Sequence, residues 1–203
     1  MAQRLRFTVL ALGLTLAAQL GAEQRFTKLD ADRCQTKLGR ITTFANATTA
    51  TKARVNAQTT QLTDTEVTSY LRYSIKDQVP AGIVDPTLVA LGDGRVKGNA
   101  VIDLDAVRKQ KQRGWADPLN YMTGKMPLSA SGLLITQNGV GRFQLESAEI
   151  SGIGIPKSLV QELLSYYSKT ADNPSGISID DPFELPARIK EIKVGRGEAV
   201  VVQ

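Results

Sequence analysis

The first pattern along the chain is an apolar run over residues 7–20, rich in Leu and Ala, behind Arg4 and Arg6 and ahead of the small pair Gly21-Ala22. A basic head, a short apolar stretch and small residues at its end predict a cleavable export signal over 1–22. The run is shorter than the roughly 20 residues that a membrane-spanning helix needs. Residues 23–60 then form a polar N-terminal segment rich in Thr, Ala, Gln and Lys, within which 48–61 reads as an extended stretch along a sheet edge. The first clear element follows. Thr63 and Glu66 stand at capping-box spacing, and Val67, Tyr70, Leu71 and Ile75 recur at helical intervals up to Val79-Pro80, where the residue before proline leaves the helical region.

Three hairpins follow from alternation punctuated by turn residues. The first joins 87–91 to 96–104 around Gly92-Asp93-Gly94, with Val96, Gly98, Ala100, Ile102 and Leu104 on one face. The second runs over 128–150 around Asn138-Gly139, a strong tight-turn signal. The third pairs 187–194 with 198–202 around Gly195-Arg196-Gly197. A second helix starts near Pro156, shows Leu159, Val160, Leu163, Leu164 and Tyr167 on one side, and stops at Asp172-Asn173-Pro174. This order predicts an α+β domain over 61–203, an antiparallel sheet of about six strands packed on two amphipathic helices.

Composition narrows the chemistry. Without the signal, about 180 of the 203 residues remain, enough for one domain to bury a core without disulfides. The single cysteine, Cys34, can form no intramolecular bridge and reads as an ordinary residue. Two of the 25 basic residues lie in the signal, so the formal charge of +5 overstates the basic character, and nothing points to nucleic acid. With no histidine and one cysteine, imidazole or thiolate metal sites and histidine-dependent nucleophiles are excluded. Phosphate-loop and dinucleotide glycine motifs are absent. No cofactor, metal site or catalytic residue is expected.

Carboxylates remain. Asp103 and Asp105, two apart in a strand-like segment, would share a side, and Asp180, Asp181 and Glu184 cluster before the last hairpin. Such groups serve glycosidases or calcium sites, but they are equally ordinary turn acids, with Asp105 capping a helix. Asn46-Ala47-Thr48 matches a glycosylation acceptor. A basic cluster, Arg108, Lys109, Lys111 and Arg113, leads into Trp115, the only tryptophan. It suits the surface of an anionic membrane, or else a solvated helix end whose Trp plugs the core.

The succession of a capped helix over 62–67, Val79-Pro80, Val96-Lys97-Gly98, Val140-Gly141-Arg142-Phe143, the helix after Ile155-Pro156, and the bracketed Pro182-Phe183-Glu184-Leu185-Pro186 resembles small bacterial exported proteins related to the tubular lipid-binding (TULIP) superfamily. The resemblance covers roughly 60–203. It implies a strongly curved sheet wrapped around a helix, with an apolar groove between them that takes a lipid. The residues it assigns to that groove are Val67, Tyr70, Leu71, Ile102, Leu104, Leu133, Phe143, Leu145, Leu159, Leu163, Tyr167 and Phe183. All are equally good core residues.

Two functions are therefore expected of the mature, periplasmic or extracellular protein. One is non-enzymatic carriage of a lipid or other apolar small molecule. The other is an adaptor that binds another envelope protein through a sheet edge or exposed apolar patch.

Overall fold

The computed structural model describes residues 25–47, 57–80, 82–110, 123–171 and 173–203; the side chains of 108–110 and Tyr167 lie outside that description. The predicted export signal, most of the glycosylation and edge-strand region, and Lys111, Arg113 and Trp115 also fall outside it. Among the described residues, no helix is long and apolar enough to cross a membrane.

The polar N-terminal segment contains a helix that the sequence pattern did not announce, α1 (Lys28–Asn46). Its Thr27 cap accepts from the Asp30 N–H, and its buried positions are Ala31, Cys34, Ile41 and Ala45. With Leu38 they recur at alternating steps of three and four, the spacing of a narrow helical seam. Strand β1 (Thr59–Thr63) leads directly into α2 (Asp64–Tyr73). Both arms of the capping box form: Thr63 Oγ1 accepts from the Glu66 N–H, and the Glu66 carboxylate accepts from the Thr63 N–H. The helix stops at Tyr73, six residues before Val79, so Ile75 lies beyond it. There Tyr70 O accepts both the Ser74 and Ile75 N–H groups, which closes the last turn.

Next come β2 (Ile83–Gly92) and β3 (Arg95–Asp103), α3 (Leu104–Gln110), β4 (Lys125–Gln137) and β5 (Val140–Ile150), then β6 (Ile153–Gly154). Helix α4 (Lys157–Tyr167) follows, then β7 (Phe183–Glu184), β8 (Glu191–Val194) and β9 (Glu198–Val202). The predicted α+β class holds. The main sheet is antiparallel and open, in the order β2-β3-β4-β5-β6, with β7 also paired to β5. Asn138 and Gly139 take positive φ angles of 52° and 83°, the paired left-handed turn that suits a two-residue hairpin.

The third hairpin, β8–β9, differs in place from the expectation. It joins β1 in a separate three-stranded sheet, β1-β9-β8, while β6 and β7 complete the six-stranded one. The two sheets are tied where their turns meet. Thr136 Oγ1 accepts from the Ile192 N–H and donates to its carbonyl, and Gly94 N–H donates to Val194 O.

The small sheet, α1 and α2 enclose the densest core. Cys34, Ile41, Leu62, Leu185, Ile189 and Val201 are buried together, with Val67, Tyr70 and Ile192 packed against them. Helix α2 also covers the free edge of β2. Asp64 accepts from the Ala90 N–H, Thr68 Oγ1 bonds both the N–H and carbonyl of Leu88, and Arg72 donates to the carbonyls of Asp85 and Pro86. An edge covered in this way offers no ladder to another chain.

Candidate ligand-binding cleft

Residues paired across neighbouring strands point to the same sheet face. By register, Val96, Gly132 and Leu145 share one face of the main sheet, as do Ile102 with Met126 and Leu134 with Phe143. Only its small residues, Ala90, Gly132, Gly141 and Ala148, are buried, whereas Ile102, Leu128, Leu134, Phe143, Leu145 and Ile150 stay partly open. The opposite face carries Lys97, Asn99, Ser129, Ser131 and Gln144. The apolar face is thus built for burial but incompletely covered.

Its partial cover is α4 and the segment 173–182, which form one hydrogen-bonded unit. Lys157, Gln161, Ser165 and Ser168 lie along one helical stripe. Lys157 pairs with Asp180 at 2.5 Å. Gln161 donates to Ile177 O and accepts from the Ile179 N–H at 2.7 Å, Ser165 donates to Ile177 O, and Ser168 accepts from the Ile177 N–H at 2.7 Å. The returning strap lies so close to the helix that a Cβ on Gly176 would stand 2.0 Å from Ser165 O, and φ there is +75°. Only glycine fits.

The strap then enters β7, where Phe183 pairs with Gly141. Its ring lies over that glycine, within 2.6 Å of where a Cβ would be, so the absent side chain makes room for the aromatic. Between strap, α4 and sheet runs a cleft of about 540 Å³. Phe143, Leu164, Ile177, Ile179, Pro182 and Phe183 give it apolar walls; Asn173, Ser175, Ser178 and Asp181 supply polar groups. Its volume falls within the range of small-ligand sites, and it is open to solvent rather than enclosed.

An ion pair less exposed than Lys157–Asp180 lies elsewhere, where Lys37 of α1 reaches the Glu66 carboxylate of α2 at 2.7 Å. Burial pushes the Glu66 carboxyl up, but Lys37 and the Thr63 cap together outweigh it and hold it below its ordinary value. Asp64 goes the other way, raised by burial against the partial relief of the Ala90 N–H. Burial, reinforced by the Glu66 charge and only partly offset by Lys37, pushes the Cys34 thiol up to about 11. That cysteine is buried, protonated and unreactive at neutral pH. Two more open hollows lie along α1: one of about 350 Å³ lined mainly by its charged and polar residues, and one of about 520 Å³ where Gly39, Phe44 and Ala47 join Thr36, Arg40, Thr43 and Gln58.

The carboxylates do not converge on chemistry. Asp103 caps α3 by accepting from the Ala106 N–H, and Asp105, inside that helix, accepts from the Gly124 N–H. They do not share a strand face, because the chain turns helical at Leu104. The capping role falls to Asp103 rather than Asp105. Among the described residues, no group of three or more His, Cys, Asp or Glu could hold a metal ion.

The residues assigned to a groove are distributed. Phe143 and Phe183 line the cleft. Leu145 and Ile102 share the apolar sheet face with Phe143, and Leu163 and Leu159 lie on α4, the first half-buried and the second exposed. Leu133 pairs with Arg95 and Gln144 on the opposite face. Val67 and Tyr70 belong to the small-sheet core; Leu71 is half-buried on α2, and Leu104 is buried at the start of α3. Tyr167 ends α4, while Arg108 and Lys109 lie in α3. The strap was missed, although the alternation Ile177-Ser178-Ile179 hints at an extended segment with one apolar side.

No family model matches the chain, and no curated protein matches it either. Among solved structures, a lipopolysaccharide binding protein aligns with 71% of this chain at 12% identity and a TM-score of 0.22. The chain spans 40% of that protein's length. A likeness at this level assigns neither a family nor a ligand, so the functional reading must come from the geometry.

Proposed function

We propose that this protein is a non-enzymatic binder of a lipid or other apolar small molecule, held between α4, its strap and the apolar face of the main sheet, and that it acts in the cell envelope after export. One observation carries the reading: the large apolar side chains of that face are mostly but not fully buried, beside a cleft of about 540 Å³. Covering them with an acyl chain would stabilise the complex by about 0.8 kcal/mol for each buried methylene.

The test is native mass spectrometry of protein purified without detergent, followed by titration with single-chain lipids of increasing length. Affinity should rise about fourfold per methylene until the cleft is filled. Protein that carries no lipid and shows no length dependence would remove the proposal. Export is tested separately, by N-terminal sequencing of the protein recovered outside the cytoplasm, where a start near residue 23 is expected.

The adaptor reading draws on a different observation. Among the described residues, the outer edge of β5 has no paired strand over residues 142–147, between its short partners β7 and β6 and short of Ala148, whose carbonyl accepts from the Ile155 N–H. Cross-linking from a residue on this edge, such as Gln144, in the native host would capture an envelope protein if that reading holds.

A further inference from the structure

Resting on the apolar-ligand reading, the geometry points to the class of head group: an amphiphile that is not anionic, with an ammonium head preferred over a neutral one. The cleft's walls contain one charged residue, Asp181, and three neutral polar ones, Asn173, Ser175 and Ser178; no Lys or Arg lines it among the described residues. The one lysine of α4, Lys157, is paired with Asp180, and the exposed Lys169 just beyond the helix is not among the lining residues. The β7 carboxylate, Glu184, follows Phe183 and so points to the opposite sheet face.

Placement of these groups sets the ligand's orientation. Asp181 is exposed and stands two residues before Phe183, whose ring is itself 42% exposed. Phe143 and Leu164 complete the apolar wall. A chain laid against Phe143 and Leu164 leaves its head at the strap, facing a carboxylate and an aromatic ring. An ammonium is attracted by both. A carboxylate or phosphate head meets like charge there, with no Lys or Arg among the described lining residues to pair it. Hydroxyl or amide heads find Ser175, Ser178 and Asn173 as partners.

The experiment uses four ligands with the same dodecyl chain, below their micellar concentrations: dodecanoate, dodecyl phosphate, dodecanoyl glycerol and dodecyltrimethylammonium. Calorimetric titration of the full mature chain at low and high salt should rank the ammonium first, the glycerol ester second and the two anions last. The expected gap between ammonium and dodecanoate is about threefold to tenfold at low salt, narrowing as salt screens an exposed charge. Asp181→Asn should close most of that gap, and Asp181→Lys should invert it. Anions that bind as well as or better than the ammonium overturn this inference and leave the apolar-ligand reading standing. Failure of all four ligands removes that reading and the inference with it. A ranking that survives Asp181→Lys unchanged also overturns the assignment, since the charge would then act from elsewhere.

Discussion

The two halves of the molecule solve the same problem to different degrees. Around the three-stranded sheet, α1 and α2 close over apolar side chains until Cys34, Ile41, Leu62, Leu185, Ile189 and Val201 are all but sealed. Across the six-stranded sheet, residues of the same kind, Leu134, Phe143 and Leu145 among them, remain partly open. The contrast comes from how each helix is held. Helices α1 and α2 pack side by side, joined by Lys37–Glu66, and α2 fastens by its polar side chains to the edge of β2. Helix α4 spends its polar stripe on its own strap instead, and it meets the sheet through few residues. A well-filled core explains stability. An apolar face left incompletely covered by a self-contained helix and strap is where the proposed ligand would lie.

The sharpest way to break this comparison is to truncate one leucine-sized side chain in each half. Ile41, 3% exposed, should cost about 3 kcal/mol as Ile41→Ala in urea unfolding, whereas Leu159→Ala, at 41% exposed, should cost under about 0.5 kcal/mol. Equal losses would mean that both halves are packed alike.

Next in size is Lys37→Met, which strands the Glu66 carboxylate and should cost about 2 kcal/mol at pH 7. Because Glu66 is held below its ordinary value, its contribution is complete above about pH 4.5 and fades as pH falls through its folded value. Removing Lys37 lifts that value, so acid destabilisation should begin at higher pH in the variant. Asp64, raised by burial, works in the opposite sense, its contribution being lost as pH rises through its folded value. A pH–stability profile of the two proteins checks both signs.

On the sheet side, Gly141→Ala places a methyl group where the Phe183 ring lies. It should cost about 1–2 kcal/mol and lower ligand affinity as well, because the displaced ring is part of the cleft wall. A loss of stability with unchanged affinity would detach Phe183 from binding.

The smallest expected effect is a gain. Ser69 is fully buried on α2, and its hydroxyl has no hydrogen-bond partner. Ser69→Ala should stabilise by up to about 1 kcal/mol, read from the same urea curves.

What the sequence made legible was local. The Thr63/Glu66 capping box and the Asn138-Gly139 turn are decided within four residues, and both form as the pattern predicts. Helix α1 escaped because its seam includes small residues, Ala31, Cys34 and Ala45, which give little apolar contrast within a polar segment. The third hairpin was recognisable, but its sheet was not. Pairing with β1 depends on α1 and α2 bringing residue 62 beside residue 199, a contact no local signal encodes. The cleft was half legible for the same reason. Phe143 and Phe183 stand in plainly apolar positions, while the strap becomes a wall only through four polar side chains of α4 that hydrogen-bond or pair with it.

Amide hydrogen exchange of the purified protein, with and without dodecanoyl glycerol, locates the ligand directly. The account predicts added protection in β5, α4 and the 173–183 strap, with α1, α2 and the three-stranded sheet unchanged. Protection confined to α1 and α2, or none anywhere at saturating ligand, would contradict it.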